Sequence, residues 1–223
     1  MKLKSMDISA TASASSIVFD ALRKAIIEGQ IEEGEPLRQD EIARLFNTSR
    51  IPVREAISRL EEQGLVRTRR YKGAVVAGLS AKETAEIFDL RALVEPEIIR
   101  DAVPRMSRQL LAGARDKCAA FSAATDPMAY GDLNRAFHET LYSASELKFF
   151  QEIADNAIDR VERQVRAQLV MSDGMDRAGR EHFAILEACE IGDADLASTL
   201  TREHIRGAKE SLLKHLPDLP TTT

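Results

Sequence analysis

The chain has 223 residues, 44% of them hydrophobic and 30% charged, with a formal net charge of −5. At ~150 residues per domain, that length admits one large domain or two small ones. Only 11 Gly and 7 Pro, with aromatics at 5% and no Trp, exclude collagen-like and Pro-rich sequence and point to an aliphatic, helix-rich core.

Residues 1–15 are expected to form a flexible lead-in. From Ser16 to Gly29, Ile17, Val18, Ala21, Leu22, Ala25 and Ile26 make one stripe at helical period. A turn at Glu32–Pro36 follows, then a short helix from Asp40 to Phe46 with Ile42, Ala43, Leu45 and Phe46 available for burial. Asn47-Thr48-Ser49 breaks it and offers two hydroxyls for an N-cap. The next helix runs from about Ile51 to Gln63, with Val53, Ala56, Ile57 and Leu60 inward. Pro52 sits in its first turn, where a missing N–H is tolerated, and Gly64 ends it. Leu65–Thr68 and Ala74–Ala77 read as two short strands, with Arg69–Gly73 as the hairpin tip. Helix, helix, turn, helix and hairpin together predict a winged helix-turn-helix over 16–78.

Strand signals stop at Ser80. Ser80 and Glu83 have the residue types of a capping box. Six helical stretches follow, at about 82–102, 105–124, 127–144, 146–171, 175–191 and 193–215. Pro104, Asp126-Pro127, Ser145, Ser172-Asp173-Gly174 and Gly192-Asp193 punctuate them, and Pro96 should kink the first. No period repeats, so the expectation over 79–216 is an antiparallel all-α bundle, with 217–223 as a tail. The predicted fold class is therefore mainly α.

Cys118 and Cys189 form neither a CxxC pair nor a disulfide framework, so a reducing, cytoplasmic setting is expected. No window approaches the ~18 consecutive apolar residues of a membrane helix. Met1–Ala14 lacks the apolar run of a secretory signal.

Charge is uneven along the chain. Residues 1–78 carry a net +2 and residues 79–223 a net −7, while 38–72 alone carry +4, with eight of nine cations Arg. A basic reader of DNA joined to an acidic control domain would look like this, and so would a solvated charge mixture. Arg50 and Arg54 stand one helical turn apart and leave the same face. Arg at the start of a recognition helix can give paired hydrogen bonds to guanine O6 and N7. Thr48, Ser49 and the backbone N–H groups beside them can hold a phosphate. Arg67, Arg69, Arg70 and Lys72 surround a hairpin tip whose Gly73 allows close approach to a minor groove. Taken singly, Arg50 and Arg54 could equally be solvent-facing helix arginines.

The runs Leu37-Arg38-Gln39-Asp40-Glu41-Ile42-Ala43, Ser49-Arg50-Ile51-Pro52-Val53-Arg54-Glu55-Ala56-Ile57 and Leu60-Glu61-Glu62-Gln63-Gly64-Leu65-Val66 closely resemble the DNA-binding domain of GntR-family transcription regulators. The resemblance spans about 65 residues nearly without gaps. It implies that Arg50 and Arg54 read the operator and that Gly73 approaches the minor groove. Some family members carry an Arg where this chain has Asp40. Asp cannot donate to phosphate or to guanine O6, so that contact is expected to be missing or moved to Arg38.

The second half holds three His at telling places. His138 follows Asn134 by one turn, His182 follows Glu181, and His204 lies in the row Leu196, Leu200, His204, Ala208, Leu212, which is predicted to face inward. Imidazoles from neighbouring helices can build a metal site. Three separate core His, each bonded to a backbone or carboxylate group, fit the spacing as well. His215 is expected to be exposed.

Asp89-Leu90-Arg91-Ala92-Leu93-Val94-Glu95-Pro96, Asn134-Arg135-Ala136-Phe137-His138 and the Glu181-His182…His204 spacing resemble the FCD ligand-binding domain of FadR-type regulators, in its six-helix, VanR-like form. This resemblance implies a divalent metal ion (Zn, Ni or Mn) on His138, His182 and His204, with Asn134 where metal-binding members have Asp. A neutral Asn leaves the cation its full charge, so weaker metal affinity and stronger attraction for a small carboxylate effector are expected. Arg91 is a candidate to pair with that carboxylate, or else with Glu95 at i+4. The expected protein is a homodimeric regulator, a repressor, on a pseudo-palindromic double-stranded operator, with no membrane partner. The cation itself could instead be the effector. A metal-dependent hydrolase has less support, since HExxH, a Gly-rich phosphate loop and a nucleophile elbow are all absent.

Overall fold

A computed structural model describes residues 13–126, 129–170 and 174–215. Residues 1–12 of the expected lead-in, Pro127, 172–173, the 217–223 tail and the side chain of His215 lie outside the described residues. The chain divides between Gly78 and Leu79 into two units.

In the first unit, α1 (Ala14–Ile27) begins earlier than its apolar stripe because Ser13 caps it, its hydroxyl accepting from the Ser16 N–H at 3.1 Å. Val18, Phe19, Leu22, Ile26 and Ile27 are buried, while Ile17 is half exposed. α2 (Gln39–Leu45) and α3 (Arg50–Glu62) form the helix-turn-helix, joined through Asn47 at φ 48°. Leu45, expected to be available for burial, is 80% exposed. With only seven residues, α2 buries just Ile42 and Ala43. β1 (Val66–Arg69) pairs antiparallel with β2 (Gly73–Val76), in a register that sets Val66 against Val76 and Arg69 against Gly73. Val18, Leu22, Val53, Ala56, Ile57, Leu60, Leu65 and Val76 pack into one apolar cluster that fixes α3 and the hairpin on a common base.

The second unit holds six α-helices among its described residues: α4 (Ala81–Ala102), α5 (Arg108–Ala123), α6 (Tyr130–Tyr142), α7 (Lys148–Val170), α8 (Gly174–Glu190) and α9 (Ala194–His215). Both arms of the capping box at Ser80 and Glu83 are made. α5 starts later than the sequence pattern suggested, because Pro104 lies in a separate 3₁₀ turn and Ser107 caps the helix.

α4 runs without a break through Pro96. A proline removes the donor for the carbonyl four residues earlier, here Ala92. Arg202 of α9 supplies a substitute, its Nε donating to that carbonyl at 3.3 Å. Pro96 thus becomes a contact point between α4 and α9, which pack side by side.

Two apolar clusters fill this unit. Ile98, Ile99, Phe137, Leu141, Ile185 and Leu186 lead one, and Phe88, Phe121, Val161, Val165 and Ile205 lead the other. On α9 the buried row is Ala197, Thr201, His204, Ile205 and Leu212, whereas Leu196 is 41% exposed. His204 faces inward as expected, but the stripe around it is shifted by one residue at its N-terminal end.

Candidate functional site

The N-terminal unit presents its cations to solvent. Arg50 opens α3 with its side chain 70% exposed, and its Nε forms an ion pair with Asp40 in the first turn of α2. Arg54, one turn on, is exposed with no ion-pair or hydrogen-bond partner among the described residues. The two arginines of the sequence motif are therefore held differently. Ser49 occupies the N-cap in extended conformation without a capping hydrogen bond from its side chain, and no acidic residue lies in the first turn of α3. The expected side-chain cap is thus not made, and the exposed hydroxyl and the positive end of the helix dipole stay available to an anion. Thr48 is half-buried, and its N–H is taken by the Ala43 carbonyl at 2.9 Å. Arg38 precedes α2 and pairs with Glu41 at 3.3 Å.

On the hairpin, Arg67 is half-buried on β1 opposite Val75, away from the tip. Arg69 is half-buried, while Arg70, Lys72 and Gly73 are exposed. Gly73 has φ +70°, and a Cβ there would meet nothing within 4 Å, so its requirement is conformational. Tyr71 had no role in the sequence reading. It lies at the tip with φ 66°, 90% exposed, its ring under the Arg70 guanidinium at 4.9 Å. A large, exposed side chain held in the left-handed region is a backbone outlier of the kind that clusters at functional sites. Its flanking cations were the available signal.

The C-terminal unit does the reverse and buries its polar groups. His138 on α6, His182 on α8 and His204 on α9 are 6%, 0% and 6% exposed. A nitrogen from each lies within 4.8 Å of the others. Ring centroids are 4.9 Å apart for His138–His182 and His182–His204, and 5.2 Å for His138–His204. Phe121 and Phe137 flank His182 at 4.7 and 4.5 Å, so the imidazoles occupy the seam between the two apolar clusters.

Burial pushes His138 well below the ordinary imidazole range, with His204 and Arg91 adding to it. Burial does the same to His182, helped by His138, His204 and Arg177. Both rings are therefore neutral, as metal ligands must be. His204 Nδ1 lies 2.7 Å from Glu181 Oε2. A carboxylate only accepts, so Nδ1 carries a proton, and Nε2 is the nitrogen that would ligate a metal. Arg177 in turn binds both Glu181 oxygens, at 3.0 and 3.2 Å. Burial raises the Glu181 carboxyl, but His204 and Arg177 outweigh it and hold the group below its usual value.

Both ring nitrogens of His182 and Nε2 of His138 are buried with no hydrogen-bond partner. Three separately satisfied core histidines would not look like this. Unpaired nitrogens on α6 and α8, facing a third imidazole on α9, fit a divalent ion. Asn134 is half-buried, one turn before His138 on α6. Arg91 is buried and paired with Glu95, Nε to Oε1 at 2.6 Å, and Tyr142 donates to the other Glu95 oxygen at 2.8 Å. The i+4 alternative for Arg91 is thus formed. Tyr142, Arg177 and Glu181 were given no role in the sequence reading, and only the i+4 spacing of Arg177–Glu181 could have hinted at two of them.

Residues 14–76 match the bacterial regulatory proteins of the gntR family, and residues 86–207 match the FCD domain. The chain belongs to the GntR family. It is 34% identical over 151 residues to the gluconate operon transcriptional repressor of Bacillus subtilis (strain 168), a match covering 65% of this chain and 60% of that one. It is 27% identical over 195 residues to the probable D-xylose utilization operon transcriptional repressor of Paenarthrobacter nicotinovorans, covering 86% of each. Among solved structures, E. coli McbR/YncC aligns with a TM-score of 0.81 at 18% identity over 92% of this chain and all of that one, a likeness of fold. This GntR protein is a transcriptional regulator and not an enzyme, so the hydrolase alternative falls on the family evidence. No helix among its described residues is long and apolar enough to cross a membrane.

Proposed function

We propose that this GntR regulator represses an operon by binding a pseudo-palindromic operator as a homodimer, and that a small carboxylate effector at a metal-containing site in its FCD domain controls that binding. Arg50 and Arg54 read base edges. Arg38, Thr48 and Ser49 hold phosphates, and Arg69, Arg70, Lys72 and Gly73 carry the hairpin into or along the minor groove. Exposure of both helix arginines and of the hairpin tip supports this half.

The observation that carries the other half is the set of buried, unbonded imidazole nitrogens on α6 and α8, with His204 of α9 bringing a third imidazole within 4.8 Å of them. His138, His182 and His204, with Asn134 beside them, would hold a divalent ion such as Zn²⁺, Ni²⁺ or Mn²⁺. When bound, that ion offers a positive centre to a carboxylate oxygen. Arg91, whose charge lowers the basicity of His138, is a candidate to pair with the effector carboxylate. Its present partner Glu95 must then share or yield it. Gluconate, in the name of one relative, is a hydroxylated carboxylate of the class expected here. The effector changes DNA affinity only by as much as it prefers one arrangement of the protein over another.

Calorimetric titration of the metal-stripped protein with Zn²⁺ and Ni²⁺ tests the site, followed by a thermal-shift screen of small carboxylates with and without the ion. Saturable metal binding, then a carboxylate that stabilises only the loaded protein and changes operator binding, is the expected result. Failure to bind either ion would overturn the metal site. If chelation alone releases DNA and no acid matters, the cation is the effector.

A further inference from the structure

Asp40 stands on the surface that faces DNA in the reading above, where an acidic side chain has nothing to donate to a phosphate or to guanine O6. It sits in the first turn of α2, and its carboxylate pairs with Nε of Arg50 at the start of α3. The two side chains are 58% and 70% exposed. Exposed pairs contribute little to stability, so the contact is not explained by the fold. Its neighbours do not compete for it. Arg38 is engaged by Glu41, and Arg44 donates to the Asp40 backbone carbonyl at 3.3 Å. Arg54, on the same face of α3, has no such partner.

Holding Arg50 by Nε has a chemical consequence. A guanidinium has five N–H donors in a rigid fork. With the Nε edge occupied, the two terminal nitrogens are what remain to point outward. Two parallel donors match guanine, which offers O6 and N7 as adjacent acceptors, and mismatch adenine, whose N6 is itself a donor. A free arginine swings among rotamers and pairs as readily with a phosphate, a contact that carries no sequence information. Asp40 is short and fixed on its helix, so it restrains the longer side chain and not the reverse. Its negative charge also repels the phosphate backbone, which lowers affinity for every sequence alike.

We propose that Asp40 is a specificity-determining residue that restrains Arg50 for two-pronged recognition of guanine and trades general DNA affinity for discrimination at one base pair in each half-site. The proposal rests on the reading that Arg50 touches base edges.

Binding-site selection from a random duplex DNA library, using the full chain at one fixed salt concentration, tests both levels. Wild type, R50A, D40A, D40N and the D40A/R50A double variant are compared, with helical signal and melting temperature as folding controls. R50A should lose a guanine preference at one position of each half-site. D40A and D40N should weaken preference at that same position by about tenfold, leave the other positions unchanged and bind unrelated duplex more tightly. The double variant should lose no more discrimination than R50A alone. Unchanged preference in both Asp40 variants, with R50A still losing its guanine, would overturn the role of Asp40 and leave the reading of Arg50 standing. An R50A that keeps every preference would overturn the Arg50 reading, and the proposal with it.

Discussion

Arg54, Arg70 and Lys72 stand in solvent, where water satisfies them at little cost to the fold. His138, His182 and His204 are buried together, with His182 between Phe121 and Phe137, where the unbonded nitrogens of His138 and His182 are expensive. The contrast follows from what each region binds. A duplex arrives as a wide anionic surface, so its reader must be exposed and can be assembled from side chains that do no structural work. A single ion or small acid must be surrounded, so its site draws on helices that also form the core. The first region is therefore open to substitution without loss of stability, and the second holds binding capacity at the expense of stability.

The largest expected effect comes from His182, whose two ring nitrogens are both unpaired. His182→Leu should weaken Zn²⁺ binding on the order of a hundredfold or more. It should also stabilise the metal-free protein by roughly 1–3 kcal/mol, because a buried unsatisfied group is removed. Calorimetry and thermal melting without metal read the two effects, and a destabilised metal-free variant would break the contrast. Next comes Arg54→Ala, expected to weaken specific operator binding by about 1–3 kcal/mol, to relax base preference and to leave the melting temperature unchanged. A gel-shift titration on the selected operator checks it. Asn134→Asp should tighten metal binding about tenfold, since a carboxylate replaces a neutral amide beside three neutral imidazoles. An unchanged calorimetric affinity would show that residue 134 does not reach the ion. Smallest is Arg202→Met, which leaves the Ala92 carbonyl without its donor opposite Pro96 and should destabilise the protein by about 1 kcal/mol in urea unfolding.

The winged helix-turn-helix was legible because its signals are local. Pro52 and Gly64 bracket α3, the Val53–Ala56–Ile57–Leu60 spacing fixes its buried face, and Gly73 reaches a positive φ that other residues avoid. Where elements are short, the reading failed. Leu45 was expected to be available for burial, yet α2 has too little surface to cover it. On α9, Leu196 was placed in the buried row by hydrophobicity, but Ala197 and Thr201 are the residues buried there.

At the histidine cluster, spacing alone named three residues but left open whether they meet. Periodicity along one helix fixes which face a residue occupies, while convergence depends on how α6, α8 and α9 are rotated against one another. The same limit hid the Glu181 bond to His204 and the Tyr142 bond to Glu95, whose partners come from different helices. It hid the Asp40–Arg50 pair as well, which depends on how α2 meets α3. Local chemistry in the sequence settled the order of the elements, the turn, the hairpin and the list of reactive side chains, because those depend on neighbours within about one turn. Only tertiary packing decided which of those side chains share a space, since that is set by volume and close contact among residues far apart in the chain.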